Sequence, residues 1–216
     1  MSQICQDLHL IFSGFTKFVF PFNAKEIPLN GIYALFEKGE LSHQVDRIVR
    51  IGTHTGKNQL PSRLQQHFIR ENKDRSIFRK NIGRAILNRD NDDFLAQWEI
   101  DLTTTEARKK HKGAVDKRKL QEIEKRVTDC IQRNFCFIVF RVDDKKERLL
   151  LESRIISTVS QCDECNPSEN WLGLNSPKEK IIKSGLWLVN ELYNKPLSES
   201  DYEVLKKSIL FSDEAN

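Results

Sequence analysis

The sequence predicts a mixed α/β (α+β) fold: a small three-stranded antiparallel core flanked by helices, with extensions at both ends. Two observations carry this expectation. Three short runs at residues 31–36, 46–51 and 135–140 are rich in β-branched and aromatic residues. The stretches after the second and third runs carry apolar residues at helical spacing. The order strand, strand, helix, helix, strand, helix gives a sheet with helices laid on it.

Taken in order, residues 8–22 hold Phe12, Phe15, Phe18, Phe20 and Phe22, close to a strand alternation. They predict an N-terminal strand or flap over the core, or a contact in a homodimer. Gly31-Ile-Tyr-Ala-Leu-Phe36 and Asp46-Arg-Ile-Val-Arg-Ile51, joined by a polar connection with Gly39, predict an antiparallel hairpin. Pro61 suits the first turn of a helix continued by Ser62–Ile69. Ser76 caps a second helix over 76–89, with Ile77, Phe78, Ile82, Ala85 and Ile86 as its apolar positions. Residues 94–102 could form a strand with Phe94 and Trp98 inward. Residues 103–133 carry a charged helical pattern that Gly113 breaks. After the third strand and a polar turn at 143–146, residues 147–161 predict a helix, 162–177 a loop, and 178–194 and 199–211 two more helices. The domain reading is an N-terminal Phe-rich extension over 1–29, a core over 30–175 and a C-terminal helical extension over 176–216. Trp171 and Trp187 read as packing residues rather than base-stacking ones.

The 216 residues are 38% hydrophobic and 31% charged, a globular composition. It excludes collagen-like, low-complexity and disulfide-scaffold proteins. No apolar run nears the ~18 residues of a membrane span, and no cleavable signal is expected. Five cysteines, an odd number, predict reduced thiols in a cytoplasmic protein. Cys162-Asp-Glu-Cys165 has metal-ligand spacing, but a closed zinc site needs four ligands. No second Cys or His pair stands at a convincing spacing, so the segment reads as a plain loop.

The net charge of +4 decides little until it is divided. Residues 63–89 hold eight Lys/Arg against two acidic residues, and residues 108–126 hold nine against three. Each segment is +6, and the rest of the chain is −8. Such segments suit a polyanion, with salt-sensitive binding; the bland alternative is a set of solvated helix faces.

Four features carry chemistry. Gly31-Ile-Tyr33 and Arg50-Ile51-Gly52 lie on the two hairpin strands, where glycines permit close backbone approach. Arg63 and His67, four apart, share one helix face. Arg suits phosphate oxygens, and His can move a proton near neutral pH. Glu152 sits among Leu149, Leu150, Leu151, Ile155 and Ile156, where a carboxylate needs a partner or a hard cation such as Mg²⁺. A surface salt bridge to Arg148 or Arg154 is the bland alternative.

In this order the features resemble a GIY-YIG nuclease domain. The stretches are Gly31-Ile-Tyr33, Arg50-Ile-Gly-Thr-His-Thr55, Ser62-Arg-Leu-Gln-Gln-His67 and Leu149-Leu-Leu-Glu-Ser-Arg154, and the resemblance covers about residues 30–171. It implies a small α/β core and hydrolysis of DNA phosphodiesters with a divalent metal, Mg²⁺ or Mn²⁺. The His four after the Arg is similar to the restriction-endonuclease branch. The resemblance implies Tyr33 as general base or water-orienting group, Arg63 on the scissile phosphate, Glu152 as metal ligand, and His67 as a partner of Tyr33 or an aid to proton transfer. His54 is a second base or a solvent-facing turn histidine. An Asn is also expected after the Glu helix, with Asn170 preferred over Asn166. Lys57, Arg108, Lys109, Lys110 and Lys112 are the expected DNA-backbone contacts.

The sequence departs from the family pattern at Arg50, which stands where the second motif has its tyrosine. A cation there, beside Tyr33, would favour the phenolate and lower its pKa from about 10; altered or lost activity is the other consequence. The functional expectation is a metal-dependent DNA endonuclease of restriction or defence type. A repair or mobile-element nuclease and a non-catalytic nucleic-acid-binding module of the same fold are the alternatives.

Overall fold

A computed structural model describes residues 2–213 of the chain. The elements run α1 (Ser2–Ser13), β1 (Phe18–Val19), β2 (Gly31–Ser42), β3 (Val45–Gly52), α2 (Leu60–Phe68), α3 (Ile77–Arg89), α4 (Leu95–Trp98), α5 (Thr105–Lys110), α6 (Lys117–Asn134), β4 (Phe135–Arg141), α7 (Lys145–Ser160), α8 (Glu179–Ser184) and α9 (Glu199–Asp213). The sheet is four-stranded, in the order β1-β4-β2-β3, with every pairing antiparallel.

The central strand β2 explains the unbroken apolar run of residues 31–36. Ile32, Ala34 and Phe36 join a core with Cys5, Leu8 and Phe12 of α1, Ile155 of α7 and Leu205 of α9. Tyr33 and Leu35 join a second core with Leu64 of α2, Phe78 and Ile82 of α3, and Val127 and Ile131 of α6. Alternate side chains thus enter opposite cores, so both faces of the strand are covered. Burying one such Phe or Leu stabilises the fold by about 1.5–3 kcal/mol.

The hairpin, α2 with its early Pro61, α3 capped by Ser76, β4 and α7 all form where the sequence predicts them. Ser76 accepts from the Arg79 amide, and Asp144 caps α7 by accepting from Glu147. The predicted break in the basic stretch falls at Gly113, whose φ of +82° separates α5 from α6.

Four local expectations are corrected. The N-terminal segment is chiefly a helix, α1, because Cys5, Leu8 and Phe12 recur at helical spacing; only Phe18 and Val19 pair, and they make the fourth strand. Residues 94–102 contain the short helix α4 and no strand, although Phe94 and Trp98 are buried as expected. Helix α8 ends at Ser184, because Gly185 takes the left-handed φ of +65° as its C-cap. The chain then turns past β3, where the Trp187 amide donates to the Val49 carbonyl at 2.8 Å. His54, one of the two bases considered, is buried rather than solvent-facing.

Trp171 and Trp187 are packing residues. Both are buried, their rings lie 5.0 Å apart, and both indole N–H groups donate to Glu37. Burial pushes the Glu37 carboxyl up, and the two indoles pull it back.

Candidate active site

The site is built around the end of the β2–β3 hairpin. Antiparallel register pairs Tyr33 with Gly52 and Leu35 with Arg50. An extra residue on β3 between the Leu35–Arg50 and Phe36–Ile48 pairs shifts the register. Directly paired residues share a face, so Arg50 and Gly52 lie on the Tyr33 side of the sheet. Both glycines of the two half-motifs have a steric reason. A Cβ on Gly52 would sit 2.3 Å from the Tyr33 phenol oxygen, and one on Gly31 would sit 2.2 Å from the Phe140 carbonyl oxygen.

Tyr33 is 0% exposed. Its oxygen lies 2.7 Å from His67 Nε2 and accepts a longer bond, 3.4 Å, from Arg50 Nε. Arg50 is held in turn by the Trp187 carbonyl and by the face of Phe78, 5.4 Å from the ring centre. His67 Nδ1 lies 2.7 Å from the Ser76 hydroxyl. Burial, with Arg63, Arg50 and Arg79 around it, holds the His67 imidazole well below its ordinary pKa. His67 is therefore neutral, and it can give or take one hydrogen bond with the phenol without carrying charge.

Glu152 comes from the middle of α7 and crosses to the same place. Its Oε1 accepts from the Thr53 backbone amide at 3.0 Å, one residue beyond Gly52. The phenol and the carboxylate thus flank a two-residue stretch, Gly52-Thr53. Burial raises the Glu152 pKa, with Arg50, the Thr53 amide and Arg63 opposing and Glu191 adding to it. Among the described residues Glu152 forms no salt bridge, so the bland reading with Arg148 or Arg154 fails. Arg148 is buried on the Val142 and Asp143 carbonyls, and Arg154 pairs with Asp201. A half-buried carboxylate with no salt-bridge partner among the described residues is the donor a hard divalent ion takes, with water and phosphate oxygens completing the shell. The residues present fit such an ion.

Arg63 is half-buried on α2, and its guanidinium donates to Gln66 and to the Arg75 carbonyl. It acts electrostatically on both His67 and Glu152. Tyr33, Arg50, Arg63, His67 and Glu152 are therefore brought together. His54 is placed differently: its Nδ1 donates to the Gly56 carbonyl at 2.6 Å, and its Nε2 accepts from the Gly31 amide at 3.4 Å. Both nitrogens pin the loop to the start of β2, which leaves none for a proton-transfer role.

Neither Asn considered in the sequence lies at this place. Asn166 is exposed and bonds the Asp163 carbonyl. Asn170 is exposed beside Trp171, whose partner Glu37 pairs with Phe135 near the opposite end of the β2–β4 ladder from Gly31. Three groups near the site have no signal in the residue pattern: the Thr53 amide, the Trp187 carbonyl, and Glu191, which accepts from Ser153 beside Glu152. Two are backbone groups, which carry no residue signature.

The GIY-YIG domain family matches residues 3–213. The chain belongs to the GIY-YIG family. This GIY-YIG domain is thereby a nuclease domain, and the match spans the N-terminal and C-terminal segments as well as the hairpin core. No curated protein and no solved structure gives a match.

The basic segments divide unequally. In the first, Arg79 is wholly buried on Glu124, Arg84 pairs with Glu99, and Lys73 is buried on Asp74. These three charges hold the fold and are not free for DNA, while Arg70 and Arg75 of the same segment are exposed. In the second, Lys109, Lys110 and Lys112 are exposed around the end of α5. Arg108 is exposed but folds back onto the Leu102 and Thr103 carbonyls. Lys57 is exposed in the β3–α2 loop, next to Asn58, which Asn30 ties down.

Proposed function

We propose that this nuclease domain is a divalent-metal-dependent DNA endonuclease of restriction or defence type. One observation carries the reading: the Tyr33 phenol and the Glu152 carboxylate converge on Gly52-Thr53, with Arg63 in electrostatic reach of the same place. Hydrolysis of a phosphodiester needs an oriented water, neutralised phosphate charge and help for the departing oxygen. In this reading Tyr33 orients the water and takes its proton. Neutral His67 and Arg50 position the phenol. His67 serves as a holder rather than a proton store, because an imidazolium there would face Arg50, Arg63 and Arg79. Arg63 meets the scissile phosphate, and its two bonds to Gln66 and the Arg75 carbonyl exchange for phosphate oxygens. A Mg²⁺ or Mn²⁺ ion held by Glu152 would supply Lewis-acid neutralisation at the phosphate and the leaving oxygen.

Lys57, Lys109, Lys110 and Lys112 are the backbone contacts in this proposal, with Arg108 released from its own carbonyls to join them. Duplex DNA presents two-fold related phosphates, which suits a homodimer.

The test is cleavage of plasmid DNA and of RNA by the purified chain, with Mg²⁺, with Mn²⁺ or with EDTA. Metal-dependent nicking of DNA that Tyr33→Phe and Glu152→Gln abolish supports the reading. Salt-sensitive binding with no cleavage of either nucleic acid defeats it in favour of a binding module.

A further inference from the structure

On the far side of the sheet from Tyr33, five side chains from three parts of the chain meet in one place. Cys5 and His9 come from α1, His43 from the tip of the β2–β3 hairpin, and Cys162 and Cys165 from the loop after α7. Cys5 Sγ lies 3.4 Å from Cys165 Sγ, and His43 Nε2 lies 3.5 Å from both Cys162 Sγ and Cys165 Sγ. His9 Nε2 is 3.9 Å from Cys165 Sγ. The ligand atoms of Cys5, His9, His43 and Cys165 all fall within 4.8 Å of one another. All the cysteines are free thiols.

These separations have a specific meaning. A tetrahedral zinc ion, with Zn–S near 2.3 Å and Zn–N near 2.0–2.1 Å, spaces its ligand atoms about 3.5–3.8 Å apart. Ordinary core packing gives no reason to crowd three thiols and an imidazole this tightly. We propose that this cluster is a structural zinc site, with Cys5, His43, Cys162 and Cys165 as its four ligands.

The choice of Cys162 over His9 follows from what each already does. His9 Nδ1 donates to the Cys5 carbonyl at 2.8 Å, and its Nε2 accepts from the Ile48 amide at 3.2 Å. Both of its nitrogens are satisfied. Cys162 is buried, faces His43 and Cys5, and stands three residues before Cys165. The Cys165 amide donates to the Cys162 carbonyl at 3.2 Å, which closes a tight turn whose two sulfurs both reach His43 Nε2. Ser42 and Glu164 lie behind the ligands. The Ser42 hydroxyl is 3.3 Å from Cys165 Sγ, and the Glu164 carboxylate is 3.5 Å from His43 Nδ1, a buried nitrogen that forms no hydrogen bond. A carboxylate behind the outer nitrogen of a ligating imidazole fixes its tautomer and strengthens its bond to the metal.

The backbone at the hairpin tip fits the same account. His43 and Gln44 have φ of 50° and 65°. Two-residue hairpin turns of this kind favour Asn and Gly at those positions. A metal bond to His43 offsets the cost of placing a histidine there. Zinc binding displaces the thiol protons to solvent as thiolates form. The bound ion would tie the N-terminal helix, the hairpin tip and the post-α7 loop at a single point.

The site is separate from the Glu152 centre, and its test reads metal content and spectra rather than cleavage. The full chain, purified without an affinity tag that binds metal, should carry zinc near one ion per chain by elemental analysis. After removal of zinc under reducing conditions, Co²⁺ should restore visible bands of a tetrahedral ion with a sulfur-to-cobalt charge-transfer band. Cys165→Ser and His43→Ala should lose the metal, while Cys130→Ser and Glu152→Gln should keep it. Cys162→Ser should weaken the charge-transfer band and zinc retention at least tenfold, and His9→Ala should change zinc affinity less than threefold. Wild-type protein that carries no zinc and takes up no cobalt overturns the proposal, as does a Cys5–Cys165 disulfide in the metal-free protein as isolated. Loss of metal in His9→Ala with full retention in Cys162→Ser overturns the stated ligand set.

Discussion

The Glu152 carboxylate accepts a hydrogen bond from the Thr53 amide at 3.0 Å, one residue past the glycine over which the Tyr33 phenol lies. A helix residue late in the chain is thereby tied to the end of an early strand. Burial disfavours the charge on Glu152, and no salt bridge among the described residues offsets it. The native state therefore binds a proton at Glu152 more readily than the unfolded chain does. Stability at this group is higher at low pH and falls as pH rises through the raised pKa. Glu152→Gln keeps an acceptor for Thr53 and removes the charge. It should raise the thermal midpoint at pH 7 in chelator while abolishing metal-dependent cleavage. Each kcal/mol corresponds to about 2–4 °C for a chain of this size. A lowered midpoint in chelator would sink the argument.

Gly52→Ala tests the close approach of strand and phenol. The new methyl would overlap the Tyr33 oxygen and ring, which His67 and Arg50 hold in place. Overpacking of this kind costs about 1–3 kcal/mol. The expected result is that loss in a denaturation curve together with at least a tenfold loss of cleavage. Unchanged cleavage would mean that the phenol position does not matter.

His67 makes an acid-stability prediction of opposite sign to Glu152. Its pKa in the folded chain is lowered by burial and by three arginines, so between that value and about 6.5 the unfolded chain binds the extra proton. Stability from this group is full above pH 6.5 and is lost as pH falls toward the depressed value. Denaturant midpoints measured from pH 8 to pH 5 should decline at the acid end, and His67→Gln should show a shallower decline. Parallel declines in the two proteins would remove His67 as the cause.

Arg50→Gln removes the cation between the phenol oxygen, the Trp187 carbonyl and the Phe78 ring. Leaving a buried carbonyl without its charged donor costs about 1–3 kcal/mol. The variant should lose stability in that range and at least tenfold in cleavage rate. Wild-type cleavage in a folded Arg50→Gln protein would make the residue a structural replacement only.

The exposed lysines predict a salt effect. Replacing Lys109, Lys110 and Lys112 together with Gln should weaken binding to any DNA sequence alike. Each lost phosphate contact should flatten the slope of log affinity against log salt by about 0.9. An unchanged slope would move the DNA path away from α5.

The parts that sequence made legible share one property: their signal is local. Ser76 before an apolar helix, Pro61 at a helix start, and the β-rich run at 135–140 each announce an element within a few residues. The grouping of Tyr33, Arg63, His67 and Glu152 was legible through order and spacing. What escaped was settled by distant partners. Phe12 supports either a strand alternation or a helical one until Cys5 and Leu8 are known to face the same core. The charge of residues 63–89 suggested a uniform DNA face, but Arg79 is spent on Glu124 and Arg84 on Glu99. Cys162 and Cys165 lacked a second pair in sequence because His43 and Cys5 approach them from the other end of the chain.

The Trp187 carbonyl on Arg50 has a consequence for how this domain is read across relatives and how it is trimmed. Every residue type presents the same carbonyl, so natural variation at position 187 can change the indole's bond to Glu37 while the grip on the arginine persists. A comparison of residue identities would score that position as scaffold. A fragment ending at residue 184 would keep all the motif residues, yet it would leave the guanidinium with one fewer anchor. The smallest portable unit of this enzyme is therefore set by a strand-side tether rather than by its signature residues.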